Sequence, residues 1–527
     1  MTTTADPIAA LKHEPCALIA GEPRPIPGDS IRSHYPANPT TIVWSGSPER
    51  SHVDEAVAAA RAAQYEWATT PRARRFEALR RYQQIVTSRI DEIALLINAE
   101  TGKAMWESRG EAAILAGKVD ITLDESTHGS MARVSDYEID LTETRQGLCR
   151  YRPHGVMAVI GPFNFPAHLP NGHIIPALAM GDTIVFKPSD KTPAVGQLIA
   201  EMFIEALDSI DAPRGVVNLV QGAGDVAGQL VTHPGIDGVL FTGSWPVGRK
   251  ILEANLDHPG RIIALELGGN NPAIVMDDAD LRQATVECVR ASFATTGQRC
   301  TCTRRIILHE AIADRFINAM IKATGAIEVG DPRRDPPVFF GPLIREEARQ
   351  AALEYHRSLV SAGGESLVAP RAIDDVPGCE GGHFITPGVV RVDRFVADDA
   401  GGPGRDGGCD TEVFGPVVRV CVVKSYEEAI AQANATRYGL ASAIFTKSRE
   451  TGERFLIDSR AGCVNINAGT AGASGKLPFG GLGQSGNHRP AGSSSVDYCA
   501  YPVASLVESS DSAPISPGML FEDSWLD

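Results

Sequence analysis

The chain has 527 residues, 43% hydrophobic and 22% charged, which is the balance of a soluble globular protein of several domains at roughly 100–200 residues each. Its 49 Lys and Arg against 65 Asp and Glu give a formal charge of −16, a field that repels nucleic acid and anionic membrane. No apolar stretch approaches the roughly 20 residues of a membrane span, the opening MTTTADPIAALKHEPCALIAG lacks the pattern of a secretory leader, and 10 irregularly spaced Cys fit reduced thiols, so the expectation is a cytoplasmic enzyme with no nucleic-acid or membrane partner.

Apolar positions recur at helical spacing over 53–69 and again over 74–99, which predicts two amphipathic helices. The stretch 133–153 alternates in places as a β-hairpin does. From 156 the texture changes to short β-branched runs: VMAVI (156–160), TIVF (183–186), GVVNLV (215–220) and GVLFT (238–242). Helical segments at 166–180, 193–208 and 224–233 separate them. Strands apolar on both faces with helices between them predict a parallel sheet. A second alternating block begins near 271, with strands at 304–309, 417–423 and 463–467 and helices at 311–326 and 426–434. Two open α/β domains therefore abut near 265–275. Residues 397–410 form a Gly- and Asp-rich loop, and 507–527 a Ser- and Pro-punctuated acidic tail.

Several residues carry chemistry. Cys300, in TTGQRCTCTRR, is placed close to a predicted helix start and beside Arg residues, both of which favour the thiolate. Taken alone it is equally a buried structural thiol. Cys302, two residues on, makes no zinc site without a second Cys or His pair, so no metal is expected. Glu266 ends the apolar run RIIALE before two Gly, where desolvation raises a carboxyl towards the range of a general base, although a turn-capping role fits too. Asn164, in IGPFNFP, follows a strand and a Gly-Pro bend; its amide could serve an oxyanion or merely the turn. FTGSWPVGRKI (241–251) reads as strand, Gly-Ser turn and helix, which aims backbone N–H groups at phosphate. Lys187 and Asp190, in VFKPSD, stand at another strand end, where a Lys and an acid could hold ribose hydroxyls, although ordinary surface polar residues are the default there.

Taken together, IGPFNFP (160–166), FKPSD (186–190), FTGS…G (241–248), ELGGNNP (266–272), GQRC (297–300), EVFGPV (412–417) and PFGG (478–481), in this order, resemble the aldehyde dehydrogenase superfamily over about 15–506. The resemblance implies Cys300 as nucleophile, Glu266 as general base and Asn164 as oxyanion donor. It implies NAD as cofactor, held by Lys187, Ser189, Asp190, Gly243, Ser244, Gly248, Leu267, Glu412 and Phe414. Within the superfamily, HLPNGHI (168–174) and GNHRPAG (486–492) are similar to the subfamily that oxidises N-succinylglutamate 5-semialdehyde in bacterial arginine catabolism. Such a substrate carries two carboxylates, and His168, His173, His488 and Arg489 are the candidates to line its pocket. Another acidic aldehyde is the second reading. A catalytically silent relative would have lost Cys300 or Glu266, and retention of Glu266 makes water the acyl acceptor rather than coenzyme A.

The implied architecture is an NAD-binding domain (15–128 and 153–265), a catalytic domain (266–484), and a small β bridging or oligomerisation element (129–152 and 485–510) of a homodimer or homotetramer, followed by the tail 511–527. Three departures stand out. Asp190 replaces the family's usual Glu, Ala167 replaces the subfamily's Gly, and Trp245-Pro246 is unusual in the cofactor turn. The 397–410 loop is placed as an insertion just before Glu412.

Overall fold

The computed structural model describes residues 14–397 and 410–527. Its first sheet has seven strands in the order Ile262–Glu266, Gly238–Thr242, Val156–Ile160, Thr183–Lys187, Val217–Leu219, Cys16–Ile19, Glu22–Pro25. The first five run parallel, and Cys16–Ile19 pairs antiparallel with both Val217–Leu219 and Glu22–Pro25. Alternate residues of one strand feed opposite cores: Met157 and Val159 pack on one face, Val156, Ala158 and Ile160 on the other. Both faces are therefore dry, which explains why these strands read as unbroken apolar runs.

The helices covering that sheet start with α1 (Ser51–Thr69), where the periodicity places it. The run at 74–99, expected as one helix, is two: α2 (Arg72–Ser88) and α3 (Ile90–Thr101). Arg89 between them leaves helical geometry at φ −116° and ψ 21°. Its guanidinium turns to Glu92 with bonds of 2.7 and 2.9 Å. The break lets Leu79 and Tyr82 of α2 and Leu96 and Ile97 of α3 join the same core. No Gly or Pro marks it in the sequence. The next helix, α4 (Met105–Thr122), has no counterpart among the predicted elements because its buried face carries Glu107, Ser108, Glu111 and Lys118 among the apolar residues. Three further helices, α5 (His168–Met180), α6 (Pro193–Asp208) and α7 (Gly224–Thr232), occupy the predicted segments between strands. They are followed by α8 (Trp245–Ala254).

The second sheet also has seven strands, ordered Glu365–Val368, Gly388–Arg391, Val417–Val423, Thr303–His309, Asn271–Val275, Ala441–Phe445, Cys463–Ile466. All neighbours are parallel except the first pair. Helix α9 (Leu281–Phe293) packs on it and leads towards Cys300.

The predicted hairpin consists of strands Tyr137–Asp140 and Arg145–Pro153, and Ala500–Glu508 pairs with the latter from Ala500↔Pro153 to Glu508↔Arg145. Residues 398–409 of the Gly- and Asp-rich loop lie outside the described residues. Among those described, no helix is long and apolar enough to cross a membrane.

Candidate active site

In a parallel sheet, ligands collect at the carboxyl ends of the strands. The register puts Ile160 beside Lys187 and Phe241, and Thr242 beside Glu266. Asn164, Lys187, Gly243 and Glu266 thus emerge at one edge of the first sheet. Cys300 reaches the same place from the second sheet, in the turn between α9 and the strand Thr303–His309.

The turn is strained. Thr295 and Thr296 lie at φ 54° and 55°, positions that cost a β-branched residue on the order of 1–3 kcal/mol each. The Glu107 carboxylate on α4 holds them, accepting from Thr295 N at 3.2 Å and from Thr295 Oγ1 at 2.7 Å. Thr296 Oγ1 donates to the Gly341 carbonyl at 3.0 Å. Gly297 follows at φ 72°, where a Cβ would stand 2.2 Å from the Gly415 oxygen, so no other residue fits without moving backbone.

No helix starts at Cys300, contrary to the expectation from sequence: α9 ends before it and a strand follows. Nor do its Arg neighbours stabilise a thiolate. Arg299 turns to Glu107, and Arg304 donates to the carbonyls of Gly297 and Gly415. Burial pushes the Cys300 thiol up, and Glu412 and Glu266 push it further. The thiol is the resting form. Cys302 is fully buried, with its Sγ 3.8 Å from the Ala294 carbonyl.

Glu266 is 4% exposed. Its Oε1 accepts from Ala491 N at 3.2 Å and its Oε2 has no hydrogen-bond partner among the described residues. Burial raises its carboxyl well above the ordinary range. A desolvated acid with a free oxygen beside a thiol is suited to exchanging protons with a reacting group. Asn164 Nδ2 donates to the Gln298 carbonyl at 2.9 Å, which ties its loop to the one bearing Cys300. An amide has a second N–H to offer an oxyanion.

The residues assigned to a dinucleotide surround this edge. Lys187 Nζ is buried against the Pro188 carbonyl at 2.6 Å, and burial pushes its amine down to about 8. Ser189 Oγ lies 3.4 Å from Asp190, which also pairs with Lys191 at 3.2 Å. Gly243 and Ser244 lead into α8, and Gly243 N donates to the Glu266 carbonyl at 3.0 Å. A Cβ on Gly248 would approach Leu267 to 2.8 Å, so α8 sits tight on the strand end. Glu412 Oε1 accepts from Gly269 N at 2.9 Å, and a Cβ on Gly268 would strike Glu412 Oε2 at 1.7 Å. Burial pushes Glu412 up to about 7. Phe414 packs edge-on to Phe163 at 6.2 Å. A buried cation, side-chain-free backbone and a held carboxylate suit ribose hydroxyls and pyrophosphate.

The four pocket candidates are not brought together. His173 spans Tyr498 Oη at 2.9 Å and Thr242 Oγ1 at 3.1 Å, and burial pushes it down to about 3. His168 is buried in its ring, which burial pushes down to about 4. Neither carries charge at neutral pH. Gly486 bridges Glu266, and Asn487 bonds Leu265 N and the Ile263 carbonyl. The chain there runs back along the Ile262–Glu266 strand, and exposed His488 and Arg489 occupy the turn before Ala491 returns to Glu266. Sequence reasoning passed over Lys103, Glu107, Glu111 and Arg299. Glu107 and Glu111 are one helical turn apart on α4, a spacing that would have put both on one face. Among the described residues, no cluster of His, Cys, Asp and Glu is placed to hold a metal.

The aldehyde dehydrogenase family matches the chain over residues 26–502. N-succinylglutamate 5-semialdehyde dehydrogenase 2 of Caulobacter vibrioides is 43% identical over 93% of this chain and 96% of its own. The N-succinylglutamate 5-semialdehyde dehydrogenase of Chromobacterium violaceum is 39% identical over 94% and 97%. In structure, HpcC of Thermus thermophilus is similar with a TM-score of 0.86 at 29% identity, over 97% of this chain and 96% of its own. PnpE in complex with nicotinamide adenine dinucleotide gives 0.85 at 31%, over 96% and 100%. With Cys300, Glu266 and Asn164 at one strand edge, the chain belongs to the aldehyde dehydrogenase family and is an oxidoreductase acting on aldehydes.

Proposed function

We propose that the chain oxidises N-succinyl-L-glutamate 5-semialdehyde to N-succinyl-L-glutamate with NAD, a step of arginine breakdown, and that water rather than coenzyme A takes up the acyl group. The observation that carries the chemistry is the pairing of a half-buried thiol at Cys300 with a desolvated carboxyl at Glu266 that has an oxygen without a partner among the described residues. The relatives at 43% and 39% identity support the substrate.

In this reading the Cys300 thiol gives its proton to ionised Glu266 as Sγ attacks the aldehyde carbon, and the alkoxide that forms accepts from the Asn164 amide and a backbone N–H. A bound nicotinamide would supply the hydride acceptor that lets the acyl group remain on Cys300 as a thioester. Glu266, its proton passed to solvent, then takes a proton from water as the water oxygen adds to the thioester carbon; the C–S bond breaks, the Cys300 sulfur takes that proton back, and the acid leaves. Lys187 and Glu412 hold ribose hydroxyls, Gly243, Ser244 and Gly248 leave room for pyrophosphate, and Phe414 backs the nicotinamide end. Burial pushes the Asp190 carboxyl up, but Lys191 and Lys187 outweigh it and leave it below the ordinary range. An ionised carboxylate there disfavours the 2′-phosphate of NADP. We also propose the division into cofactor (15–128, 153–265), catalytic (266–484) and bridging (129–152, 485–510) units, with the third sheet serving a homodimer or homotetramer.

NADH formation with N-succinylglutamate semialdehyde, succinate semialdehyde, glutamate semialdehyde and butanal, with NAD and NADP in parallel, tests the reading. The highest kcat/KM is expected for the succinylated aldehyde with NAD. A higher value for another aldehyde would contradict the substrate, and a higher value with NADP the cofactor.

A further inference from the structure

We propose that Arg299 recognises a substrate carboxylate and so sets a preference for acidic aldehydes, an inference that rests on the function proposed above and adds to it a specificity-determining residue. Arg299 immediately precedes Cys300. Its side chain is 22% exposed while that of its partner Glu107 is 2% exposed, so the guanidinium forms the outer layer of the pair. Three contacts fix it. Nε donates to Thr295 Oγ1 at 2.8 Å, Nη2 donates to Glu107 Oε1 at 2.8 Å, and the guanidinium lies over the Phe165 ring at 5.1 Å. A guanidinium offers five N–H donors in a planar fork. Nη1 of Arg299 has no hydrogen-bond partner among the described residues. The cation is thus held in place with donors to spare, the arrangement that binds a carboxylate at small cost in side-chain entropy.

Arg299 is the residue before Cys300, and Phe165, over which its guanidinium lies, is the residue after Asn164. The fixed cation therefore adjoins the segments that carry both the thiol and the amide proposed to hold the aldehyde carbon, while Phe163 on the other side of Asn164 in the chain packs against Phe414.

Neighbouring cations do not share this role. Lys103 is 2% exposed and ion-paired with Glu111. Arg304 is 3% exposed and committed to backbone carbonyls. Glu111 Oε1 also accepts from the backbone N–H groups of Ala167 and His168 at 3.1 Å each, so Lys103 and Glu111 brace the loop of Asn164 while Arg299 faces outward.

The test compares kcat/KM for N-succinylglutamate semialdehyde and for uncharged butanal in the wild type, in Arg299→Gln and in Arg299→Lys. The Lys variant keeps a cation beside the buried Glu107 carboxylate while removing the planar fork. Loss of the charge-assisted contact is expected to lower the value for the succinylated aldehyde about 10- to 100-fold in Arg299→Gln and less in Arg299→Lys, chiefly through KM, with butanal changed less than about threefold in both. A merely structural Arg299 would lower both substrates together. A parallel loss, or no loss for either, overturns the inference while a wild-type preference for the succinylated aldehyde leaves the proposed function standing. A wild type that favours no carboxylated aldehyde over butanal overturns both.

Discussion

The pH behaviour of the site follows from the Cys300 thiol, which burial keeps protonated. Cys300 is raised first by burial and then by Glu412 and Glu266. Its thiolate therefore grows in only as pH climbs past the ordinary thiol range. Iodoacetamide labelling of Cys300 without cofactor is expected to accelerate into that alkaline region. Glu412→Gln removes one of the raising charges, so the labelling profile should move to lower pH; a profile unchanged or moved upward would contradict the electrostatic assignment. Cys300→Ala should abolish NADH formation while NAD still binds, as read by quenching of intrinsic fluorescence. With Glu266→Gln, a burst of NADH followed by slow turnover is expected, because the water-activating step loses its base. An unchanged steady-state rate would remove Glu266 from the mechanism. At this scale the place of Glu266 at a strand end was legible in sequence, and Cys300 was singled out by its motif. Arg299 was not. Its meaning depends on Glu107 and Phe165, which lie far from it along the chain.

Elements decide where those side chains stand. Strands and the helices between them were readable because burial on both faces imposes continuous apolar runs, as at Val156–Ile160 and Gly238–Thr242. Helix α4 escaped because Glu107, Glu111 and Lys118 point inward, which blurs the apolar stripe. Those inward charges brace the loops of Asn164 and Cys300 and fix the strained turn at Thr295 and Thr296. The break at Arg89 escaped for another reason: an ordinary residue leaves the helix to redirect a stripe that continues on both sides. The expected helix start at Cys300 fails since the chain enters a strand there. Gly297→Ala tests how tightly the turn is set. A Cβ at φ 72° and 2.2 Å from the Gly415 oxygen must displace backbone next to the nucleophile. A lower Tm and a loss of kcat of roughly 100-fold are expected, since misplacement of reacting groups by about 1 Å costs that much. Wild-type kcat in this variant would show that the turn does not position Cys300.

Across the whole molecule, a formal charge of −16 must accommodate the proposed doubly anionic substrate. Screening confines the net repulsion to distances of roughly 10 Å or less at ordinary salt, so a local cation outweighs the distant charge. The third sheet exposes Tyr137, Ile139 and Leu506 on one side, an apolar face suited to a second copy. Ile139→Asp is expected to shift the mass measured by light scattering towards the monomer; an unchanged assembly would exclude this face. The most direct measurement combines substrate, nucleophile and base. Glu266→Gln is mixed with NAD and N-succinylglutamate semialdehyde, quenched in acid, and its mass and peptides are determined. The expected result is a succinylglutamyl thioester on the peptide bearing Cys300, formed with one equivalent of NADH per chain. NADH without that adduct, or an adduct on any other residue, would contradict it.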